Sequence, residues 1–492
     1  MVFPYKKQKM MGDRFMHNLQ KFYVDGQWVE PQGAEILDVL NPANDQVVSQ
    51  IRLGNRDDVE TAVAAAVNAF PAFSQTTKEE RIALLERIIE GYSARLEDLA
   101  RATTEEMGAP IGFSRQMQVM AGLGHIKVAL SILKKTDFTE VMGTTTVVKE
   151  PVGVCAMITP WNWPLNQITC KVAPAIAAGC TMVLKPSEVA PRTAHIFAEI
   201  LHEAGVPKGV FNLVDGDGPT VGAALSEHPQ IDMVSFTGST EAGKKVSIAA
   251  AGNLKKVSLE LGGKSANIIL DDADFAKVIK RSVRGVMTNT GQSCNAQTRL
   301  LVPEDRLAET IEIAKASAES VRTGDPMAED TAMGPVVSKL QWQRVQALIQ
   351  KGIDEGAELI AGGVGSPEGL ETGCFVKPTV FAGVTPEMSI AREEIFGPVV
   401  SIMTYKDEDD AVAIANNHIY GLSGGVYSAD LERANAVAAR MRTGMVHING
   451  APADAKAPFG GYRQSGTGRE WGRYGMEEFM ETKSMMGSIP KA

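Results

Sequence analysis

The sequence contains few residues of the kinds that cross-link secreted proteins or bind metals. Its 492 residues include 5 cysteines and 7 histidines. Neither a Cys-x-x-Cys pair nor a histidine cluster occurs. An odd number of cysteines without disulfide-like spacing is typical of a reducing compartment. We therefore expect no metal site, and a cytoplasmic location is the default.

Long apolar runs and an excess of positive charge are also absent. No stretch of about 18 uninterrupted apolar residues occurs, so the sequence predicts no transmembrane helix and no membrane partner. The formal net charge of −10 disfavours a general binder of nucleic acids or of acidic membranes. The basic residues 1–10 lack the apolar segment of a secretory signal, and we interpret them as an untargeted tail. Met10, Met11 and Met16 leave the true start open.

What the sequence does contain is ordinary for a globular protein of several domains. Hydrophobic residues make up 44% and charged residues 22%. A chain of 492 residues is too long for one compact core and suggests two or three domains. Apolar strands alternate with helical segments over residues 152–263, and a similar mixture follows over 266–472. This alternation is typical of parallel sheets covered by helices, where ligands bind at the carboxyl ends of the strands.

The first part of the chain contains weaker signals of secondary structure. Asp25-Gly26 predicts a hairpin turn between short strands. A helix is predicted over residues 58–70, and Thr77 with Glu80 forms a capping box before a second helix. A third helical stretch is predicted over residues 112–133. We assign these elements to packing.

One cysteine stands in surroundings unlike those of a core residue. Cys294 has Ser293 and Asn295 beside it and Gly291 upstream, whereas Cys155 and Cys180 lie in apolar segments that suit inert core thiols. The nucleophilic form is the thiolate, and a helix N-terminus or a cation can lower a cysteine pKa from about 8.5. A polar loop permits such lowering of the cysteine pKa, so Cys294 is a candidate nucleophile.

A nucleophile needs a base and a donor for the oxyanion. Glu260 ends an alternating apolar run and precedes two glycines, which makes it a candidate general base. Asn162 lies in a turn after an apolar strand, and its amide can donate to an oxyanion. Each also has a simpler interpretation, a solvated glutamate at a strand end and a turn-forming asparagine.

Two glycine-containing turns are candidates for a phosphate site. Residues 216–222 nearly spell G-x-G-x-x-G, but the spacing is one residue too long and a proline follows Gly218. The stronger candidate is the turn with Phe236, Gly238 and Ser239, where a strand ends and a helix begins. Backbone N–H groups at a helix N-terminus bind phosphate well.

These features belong to an ordered set of motifs. They are Thr-Pro-Trp-Asn at 159–162, Leu-Lys-Pro-Ser-Glu at 184–188, Ser-Phe-Thr-Gly-Ser at 235–239, Leu-Glu-Leu-Gly-Gly at 259–263, Gly-Gln-Ser-Cys at 291–294, Glu-Glu-Ile-Phe-Gly-Pro at 393–398 and Pro-Phe-Gly-Gly at 458–461. In this order and at these distances the motifs resemble those of the aldehyde dehydrogenase superfamily. The resemblance runs from about residue 20 to the C-terminus.

The resemblance implies oxidation of a small-molecule aldehyde to a carboxylic acid. The Cys294 thiolate would attack the aldehyde, and the Asn162 amide with the Cys294 backbone N–H would hold the oxyanion. A hydride would leave to NAD, and Glu260 would activate the water that hydrolyses the thioester. Lys171 matches a family lysine near this site and is assigned a supporting role.

The resemblance also implies a set of cofactor-binding residues. Lys185 and Glu188 match the adenosine-ribose ligands, and a carboxylate there favours NAD over NADP, with NADP as the alternative. Glu394 and Phe396 match the positions that hold the nicotinamide ribose. The remaining expected cofactor contacts are Thr159, Pro160, Trp161, Ser187, Gly218, Phe236, Gly238, Ser239, Leu261 and Gly262.

The sequence specifies the substrate less closely than it specifies the reaction and the cofactor. Family tunnel positions are matched by Trp163, Gln167, Cys170, Ser293, Asn295, Ala453 and Phe459. Many relatives carry an aromatic residue in place of Cys170 or Ala453, so we expect a wider and more polar tunnel. Asp454 and Lys456 near its mouth are either contacts for a polar tail or, more simply, solvated loop charges.

The implied architecture is α/β with a Rossmann-like cofactor domain, a second α/β catalytic domain and a small β oligomerisation arm. We expect the NAD-binding domain at residues 1–136 and 152–262, the catalytic domain at 263–472, and the arm at 137–151 and 473–492. In the arm, the β-rich residues 144–149 would pair with residues 481–486. The resemblance further implies a homodimer or homotetramer.

Three other functions are open at this point. A CoA-acylating aldehyde dehydrogenase would pass the thioester to CoA, but such enzymes usually lack the carboxylate seen here as Glu260. A cofactor-free thiol esterase would need only Cys294 and Glu260, and the residues Lys185, Glu188 and Glu394 argue against it. A structural family member without activity would have lost Cys294 or Asn162, and both are present.

Overall fold

The computed structural model describes residues 17–490 and confirms the predicted α/β class. Two large sheets, mainly parallel, are covered by helices, and two small sheets complete the fold. The predicted tail at residues 1–10 and the start candidates Met10, Met11 and Met16 lie outside the described residues.

The first large sheet has eight strands. In spatial order they are Gly466–Thr467, Lys256–Glu260, Met233–Thr237, Val154–Ile158, Thr181–Lys185, Phe211–Leu213, Phe22–Val24 and Gln27–Val29. The strands from Lys256–Glu260 to Phe211–Leu213 pair in parallel. Val154–Ile158 is buried along its whole length because helices cover both faces, which explains its uninterrupted apolar sequence.

The second large sheet has seven strands. In spatial order they are Glu358–Ala361, Thr379–Ala382, Val399–Tyr405, Arg299–Pro303, Ala266–Ile269, Gly424–Tyr427 and His447–Ile448. All neighbours pair in parallel except Glu358–Ala361, which is antiparallel to Thr379–Ala382. The alternation predicted over residues 152–263 and 266–472 is therefore confirmed as two sheets.

Helices pack on both large sheets. Those in the first half of the chain are Arg56–Phe73, Lys78–Ala94, Leu96–Met107, Ile111–Phe113, Val119–Lys135, Pro164–Ala178, Arg192–Glu203, Ala223–Glu227 and Thr240–Ala250. Those in the second half are Phe275–Met287, Leu307–Glu319, Lys339–Asp354, Ser389–Arg392, Glu408–Asn416, Leu431–Arg440 and Gly472–Glu478. The capping box of Thr77 and Glu80 is confirmed at the start of Lys78–Ala94.

The helix predicted over residues 112–133 is not continuous, and this expectation is corrected. A π turn at Ser114–Gln118 separates Ile111–Phe113 from Val119–Lys135. Insertions of this kind are common at functional sites because they redirect a side chain. Here the Gln118 amide nitrogen donates to the Asn162 carbonyl oxygen at 3.1 Å, a contact that apolar periodicity cannot predict.

Each small sheet has three strands. One consists of Ile36–Asn41, Gln46–Arg52 and His17–Leu19. The other pairs Thr145–Pro151 with Met480–Met485 on one side and with Thr139–Met142 on the other. The predicted pairing of residues 144–149 with 481–486 is thus present.

Candidate active site

A cavity of about 580 Å³ opens at the carboxyl ends of the strands of the first large sheet. Residues at or just after the ends of Met233–Thr237 and Lys256–Glu260 line it together with Cys294 and Glu394. This is the usual ligand position of open α/β sheets. The lining is Pro160, Trp161, Asn162, Thr237, Gly238, Ser239, Glu260, Leu261, Gly262, Cys294, Gln341, Arg344, Ala347, Leu348, Glu393, Glu394, Ile395 and Phe396.

A strained turn positions Cys294. Asn289 and Thr290 adopt positive φ angles of 54° and 56°, and Gly291 follows with φ 72°. A side chain at Gly291 would collide with the Gly397 carbonyl oxygen, so the turn packs directly against backbone. Residues other than glycine rarely adopt such angles, and their occurrence beside the nucleophile indicates that the surroundings enforce this loop.

Hydrogen bonds connect the two loops that carry Asn162 and Cys294. The Asn162 amide nitrogen donates to the Gln292 carbonyl oxygen at 3.1 Å. The Asn289 amide nitrogen donates to the Asn162 and Gln292 carbonyl oxygens at 3.0 and 3.1 Å. One of the two Asn162 amide protons is therefore bound, and the other remains for a ligand next to Cys294.

The environment of Cys294 raises its pKa. Burial has the largest effect, and the carboxylates of Glu394, Glu260 and Glu470 add repulsion of a negative charge. This is the opposite of the lowered pKa that the polar sequence context permitted. Without a bound cation or ligand, the sulfur is held as a thiol. Cys155 and Cys180 are buried, as expected of inert core cysteines, and Cys170 and Cys374 are buried as well.

Glu260 is a buried carboxyl group with both oxygens free of hydrogen bonds to the described chain. Burial raises its pKa well above the ordinary value, and the nearby Glu470 carboxylate raises it further. A side chain at Gly460 would approach Glu260 Oε1 within 2.6 Å, so the group is tightly enclosed. The raised pKa favours the protonated form of Glu260, so its action as a base is favoured by a higher pH or by a change in its environment that lowers this pKa.

Lys171 and Glu470 form a buried ion pair beside this carboxyl group. The Lys171 ammonium also donates to the Ser235 hydroxyl oxygen at 3.1 Å, and the Cys170 thiol donates to Glu470 Oε2 at 3.4 Å. Burial lowers the pKa of Lys171, but the Glu470 carboxylate outweighs this effect and the pKa is raised overall. No motif in the sequence predicts a role for Glu470, which lies 299 residues from its partner.

Polar groups at the next strand end lie farther along the same edge. The Lys185 ammonium, at the end of Thr181–Lys185, donates to the Pro186 carbonyl oxygen at 2.8 Å and to Glu188 Oε2 at 3.2 Å. The Ser187 hydroxyl accepts from the Val189 N–H at 3.3 Å. Lys185 is buried, and the Glu188 side chain is 33% exposed and therefore accessible to a ligand.

The turn after Met233–Thr237 starts a helix. Ser239 caps Thr240–Ala250 by accepting from the Ala242 N–H at 3.3 Å, and the Phe236 ring packs against Gly238. Gly218, by contrast, begins a π turn at Gly218–Gly222, where an added side chain would meet open space. Of these two glycines, only Gly238 has a neighbour that an added side chain would meet, and that neighbour is the Phe236 ring.

Glu394 lies against the two glycines that follow Lys256–Glu260. The Gly263 N–H donates to Glu394 Oε1 at 3.0 Å, and Glu394 Oε2 lies against Gly262 where a side chain would collide. Burial raises the pKa of Glu394 to about 7, against the lowering effects of the Gly263 N–H and of Lys264. Phe396 has a positive φ of 56° and its ring contacts Trp161 edge-on at 5.4 Å.

A model of the aldehyde dehydrogenase family matches residues 28–485. The chain belongs to this family. It is 57% identical over 473 residues to a 3-succinoylsemialdehyde-pyridine dehydrogenase of a Pseudomonas species, covering 96% of this chain and 99% of the relative. Membership confirms the predicted reaction class, oxidation of an aldehyde through a cysteine by an NAD(P)-dependent oxidoreductase.

Solved structures of aldehyde dehydrogenases have the same fold. Aldehyde dehydrogenase C of Pseudomonas syringae, crystallised as a cysteine-to-alanine variant with NAD+ and octanal, matches with TM-score 0.95 and 51% identity over 96% of this chain and 97% of that chain. An aldehyde dehydrogenase of Mycobacterium tuberculosis in complex with NAD+ matches with TM-score 0.94 and 39% identity over 97% and 99%. The predicted cofactor type is confirmed for the family by these complexes.

This aldehyde dehydrogenase brings most of its predicted site residues to one place. Those lining the cavity are Pro160, Trp161, Asn162, Gly238, Ser239, Glu260, Leu261, Gly262, Cys294, Glu394 and Phe396. Lys185, Ser187 and Glu188 extend the same edge, whereas Gly218 is not among the residues that line the cavity. Thr159 is buried, and its hydroxyl oxygen has no hydrogen-bond partner in the described chain.

The predicted substrate positions are more scattered. Trp163 contacts Ser293 through a hydrogen bond and Phe113 through an edge-on ring contact at 5.4 Å. Gln167 is buried, and its amide oxygen has no hydrogen-bond partner in the described chain. Phe459 packs on Trp471 with ring centroids 4.4 Å apart. Ala453, Asp454 and Lys456 lie in the loop at 451–457, where Ala453 is exposed and Asn295 is half-buried beside Cys294.

Two residues of this aldehyde dehydrogenase that no sequence motif predicts reach the site from another helix. Gln341 donates to the Ile395 and Phe396 carbonyl oxygens at 3.3 and 2.9 Å and so holds the segment that carries Glu394. Arg344, one turn later in Lys339–Asp354, also lines the cavity. Both lie in an amphipathic helix whose pattern indicates packing only. Their position at the cavity follows from helix orientation, which periodicity does not give.

Residues 17–490 contain neither a membrane-spanning helix nor a cluster of metal ligands. No helix there is long and apolar enough to cross a bilayer. No cluster of three or more histidine, cysteine, aspartate or glutamate side chains is arranged to hold a metal ion in that part of the chain.

Proposed function

We propose that this chain is an NAD-dependent aldehyde dehydrogenase of general aldehyde-oxidising type in which Cys294, Asn162 and Glu260 carry the chemistry. The observation that supports this assignment is that all three line one cavity together with Glu394. The reaction requires a thiol, an amide donor, a carboxyl group that acts as the base and a second carboxyl group that binds a ribose.

Cys294 is proposed as the nucleophile and Asn162 as the oxyanion donor. Attack of the thiolate on an aldehyde carbonyl gives a thiohemiacetal oxyanion beside the Cys294 backbone N–H. The Asn162 amide is held next to this position by its bond to the Gln292 carbonyl oxygen. Removal of one such donor typically costs about 100- to 1000-fold in rate.

Glu260 is proposed as the base that activates water for thioester hydrolysis. Because its pKa is raised, hydrolysis should accelerate as the pH rises. Lys171 and Glu470 are proposed to set this pKa, since Glu470 raises it and Lys171 lowers it. The Lys171–Glu470 ion pair is thus a positioning group, because the balance of its two charges sets the pKa of Glu260.

The residues around the cavity fit a nicotinamide dinucleotide. Two buried threonine hydroxyls, of Thr159 and Thr237, have no partner in the described chain and can bind a ligand. The helix N-terminus at Thr240–Ala250 suits the pyrophosphate, and Glu394 with Phe396 suits the nicotinamide ribose. When bound, the cofactor accepts the hydride that leaves the thiohemiacetal carbon.

We propose NAD rather than NADP as the main cofactor. Lys185 and Glu188 would bind the adenosine ribose hydroxyls, and the half-exposed Glu188 carboxylate would repel a 2′-phosphate. The remaining proposed cofactor contacts are Pro160, Trp161, Ser187, Phe236, Gly238, Ser239, Leu261 and Gly262, with Gly218 as the weakest of the set.

We propose a substrate whose aldehyde carries a long apolar or aromatic tail. The proposal rests on ring contacts at two predicted tunnel residues, since Trp163 packs against Phe113 and Phe459 packs against Trp471. Cys170 stands where many relatives carry a ring, and the unpaired Gln167 amide oxygen can accept one hydrogen bond. A pyridine-substituted semialdehyde and octanal, named for the relatives above, represent the two kinds of tail.

The domain division and assembly also remain proposals. We propose residues 1–136 and 152–262 as the NAD-binding domain, 263–472 as the catalytic domain, and 137–151 with 473–492 as an arm for a homodimer or homotetramer. Exposed apolar side chains on the arm support this, with Val141 at 60% and Met486 at 84% exposure. A cytoplasmic location is proposed on the same sequence grounds as above.

The test is NADH formation across straight-chain, aromatic, hydroxylated and semialdehyde substrates, with NADP in parallel and Cys294→Ala as control. We expect NAD-dependent turnover that disappears in the variant. Turnover that requires CoA would favour the acylating alternative. Ester hydrolysis without any aldehyde oxidation would favour the thiol esterase, and undiminished turnover in Cys294→Ala would overturn the mechanism.

A further inference from the structure

A buried glutamine from a distant helical segment contacts both loops of the active site. Gln118 ends the π turn at Ser114–Gln118, and its side chain is fully buried. Ile126, Ala129 and Leu133 follow at helical spacing and are also buried, so Gln118 lies on the packing face of this segment. An apolar residue is the ordinary occupant of such a position, because a buried amide is costly unless it is hydrogen-bonded.

Both protons of the Gln118 amide are used, one on each loop. The amide nitrogen donates to the Asn162 carbonyl oxygen at 3.1 Å and to Asn289 Oδ1 at 3.1 Å. The Met107 sulfur, a weak acceptor, lies 3.6 Å from the same nitrogen. One side chain therefore connects the loop that carries the proposed oxyanion donor with the turn that leads to Cys294, although it belongs to neither.

The Asn162 peptide is held at both acceptor positions of its carbonyl oxygen. The second donor is the Asn289 amide nitrogen, at 3.0 Å. A carbonyl oxygen has two lone pairs, and the bonds from Gln118 and Asn289 occupy both. The Asn162 side chain is held separately by its bond to the Gln292 carbonyl oxygen at 3.1 Å. The backbone and the side chain of Asn162 are both fixed, and together they set the direction of its second amide N–H.

The bond to Asn289 acts on the strained turn. Asn289 has a positive φ of 54°, which residues other than glycine adopt only where their surroundings enforce it. Its side-chain oxygen accepts from Gln118, and its amide nitrogen donates to the Asn162 and Gln292 carbonyl oxygens. The Asn289 side chain thus joins Gln118 to the turn that precedes Cys294.

A second contact joins the same helical segment to the Asn162 loop. Phe113, the residue before the π turn, packs its ring edge-on against Trp163 at 5.4 Å. The segment therefore holds the neighbouring residues Asn162 and Trp163 at two points, one polar and one apolar. The bulge in the helix separates these two points along the chain.

We propose that Gln118 is a positioning residue for the oxyanion, and that it acts through Asn162 and Asn289 without touching the substrate. The inference rests on the proposed role of Asn162 as the oxyanion donor. The bonds of Gln118 hold the Asn162 amide and the Cys294 turn in a fixed relation, so the donor already points to where the oxyanion forms. Preorganisation of this kind stabilises the transition state more than bound substrate, so its loss lowers kcat more than it raises KM.

The test is steady-state kinetics of Gln118→Met with NAD+ and with octanal and benzaldehyde as substrates. Methionine has a similar length and no N–H donor. We expect kcat to fall about 10- to 30-fold, less than the roughly 100- to 1000-fold loss when an oxyanion donor is removed. The aldehyde KM and the NAD+ affinity from calorimetry should change by less than about twofold. Gln116→Met is the matched control, since Gln116 lies in the same π turn but is exposed, and it should leave kcat unchanged.

A double-mutant cycle with Asn162→Ala distinguishes positioning from general packing. If Gln118 acts through Asn162, the loss caused by Gln118→Met should largely disappear once Asn162 is alanine. A residue that only supports packing would reduce kcat by the same factor in both backgrounds. Gln118→Leu, which also lacks a donor, replaces the methionine variant should thermal unfolding show that the latter does not fold.

The outcomes separate this inference from the function on which it rests. Undiminished turnover in Asn162→Ala would overturn the role of Asn162 itself. A large loss in Asn162→Ala together with an unchanged kcat in Gln118→Met would overturn only the positioning role of Gln118. Multiplicative losses in the double variant, or an NAD+ affinity that falls as much as kcat in Gln118→Met, would also refute it.

Discussion

The Trp163 indole N–H donates to the Ser293 hydroxyl oxygen at 2.8 Å. Trp163 is the neighbour of Asn162 and Ser293 is the neighbour of Cys294, so this bond joins the two loops that carry the oxyanion donor and the nucleophile. Catalysis depends on such placement to within fractions of an ångström. The bond is therefore expected to affect rate even though neither partner reacts.

Replacement of Trp163 by phenylalanine keeps an aromatic ring and removes the bond. A net hydrogen bond is worth about 0.5–1.5 kcal/mol, so we expect kcat/KM to fall about 3- to 10-fold. Ser293→Ala should have a similar effect, and the double variant should lose no more than either single variant. Fully additive losses in this double-mutant cycle would show that the two side chains act independently.

Cys294 should react slowly with alkylating agents in the cofactor-free protein. Burial and the carboxylates of Glu394, Glu260 and Glu470 raise the pKa of Cys294, so the rate with iodoacetamide should still be rising above the ordinary midpoint of about 8.5. Glu394→Gln removes one negative charge, lowers the pKa and should increase the rate at pH 9. Glu393→Gln, whose carboxylate pairs with Lys351, is the matched control and should leave the rate unchanged.

Lys171 and Glu470 should stabilise the fold only as a pair. Breaking a buried ion pair leaves one charge without a partner and typically costs about 3–5 kcal/mol. We expect Lys171→Met to lower the thermal unfolding temperature sharply and Lys171→Met/Glu470→Gln to recover much of the loss. The exposed pair Lys244 and Glu241 provides the control, since Lys244→Met should change the temperature little. Equal losses in the single and double variants would contradict this.

The charge of Glu470 should also set the pH at which the acyl-enzyme hydrolyses. Burial and Glu470 raise the pKa of Glu260, and the ionised form is the base, so hydrolysis increases as the pH rises through that pKa. Glu470→Gln removes the repulsion and lowers the pKa, which should move this increase to lower pH. Single-turnover decay of an acyl-enzyme measures it, and a shift to higher pH would be inconsistent with the proposed role of Glu470.

Gly291 should tolerate no side chain. Its φ is 72°, and an added methyl group would collide with the Gly397 carbonyl oxygen. We expect Gly291→Ala to displace the Cys294 loop and reduce kcat by 10-fold or more, on the order of the losses caused by misplaced catalytic groups. Gly285→Ala lies in the helix Phe275–Met287, where an added side chain meets open space, and it should be neutral or stabilising by about 1 kcal/mol. Equal activity of both variants would contradict the expectation.

The alternation of strands and helices could be predicted from the sequence because buried parallel strands need apolar residues on both faces. Val154–Ile158 and Thr181–Lys185 show this directly, since each is buried throughout. The π turn at Ser114–Gln118 could not be predicted from the sequence, because it depends on hydrogen bonds from Gln118 to loops that are distant in sequence. Helical periodicity reports burial and is insensitive to a single inserted residue.

The sequence by itself determined the α/β class and the family, together with the candidates Cys294, Glu260 and Asn162, because motif order and local composition are properties of the chain. Only the tertiary structure decided the protonation states and partners. The raised pKa of Cys294 and the pairing of Glu470 with Lys171 both arise from burial and from charges brought together by folding. Desolvation and Coulomb interactions depend on distance in space, which the order of residues does not specify.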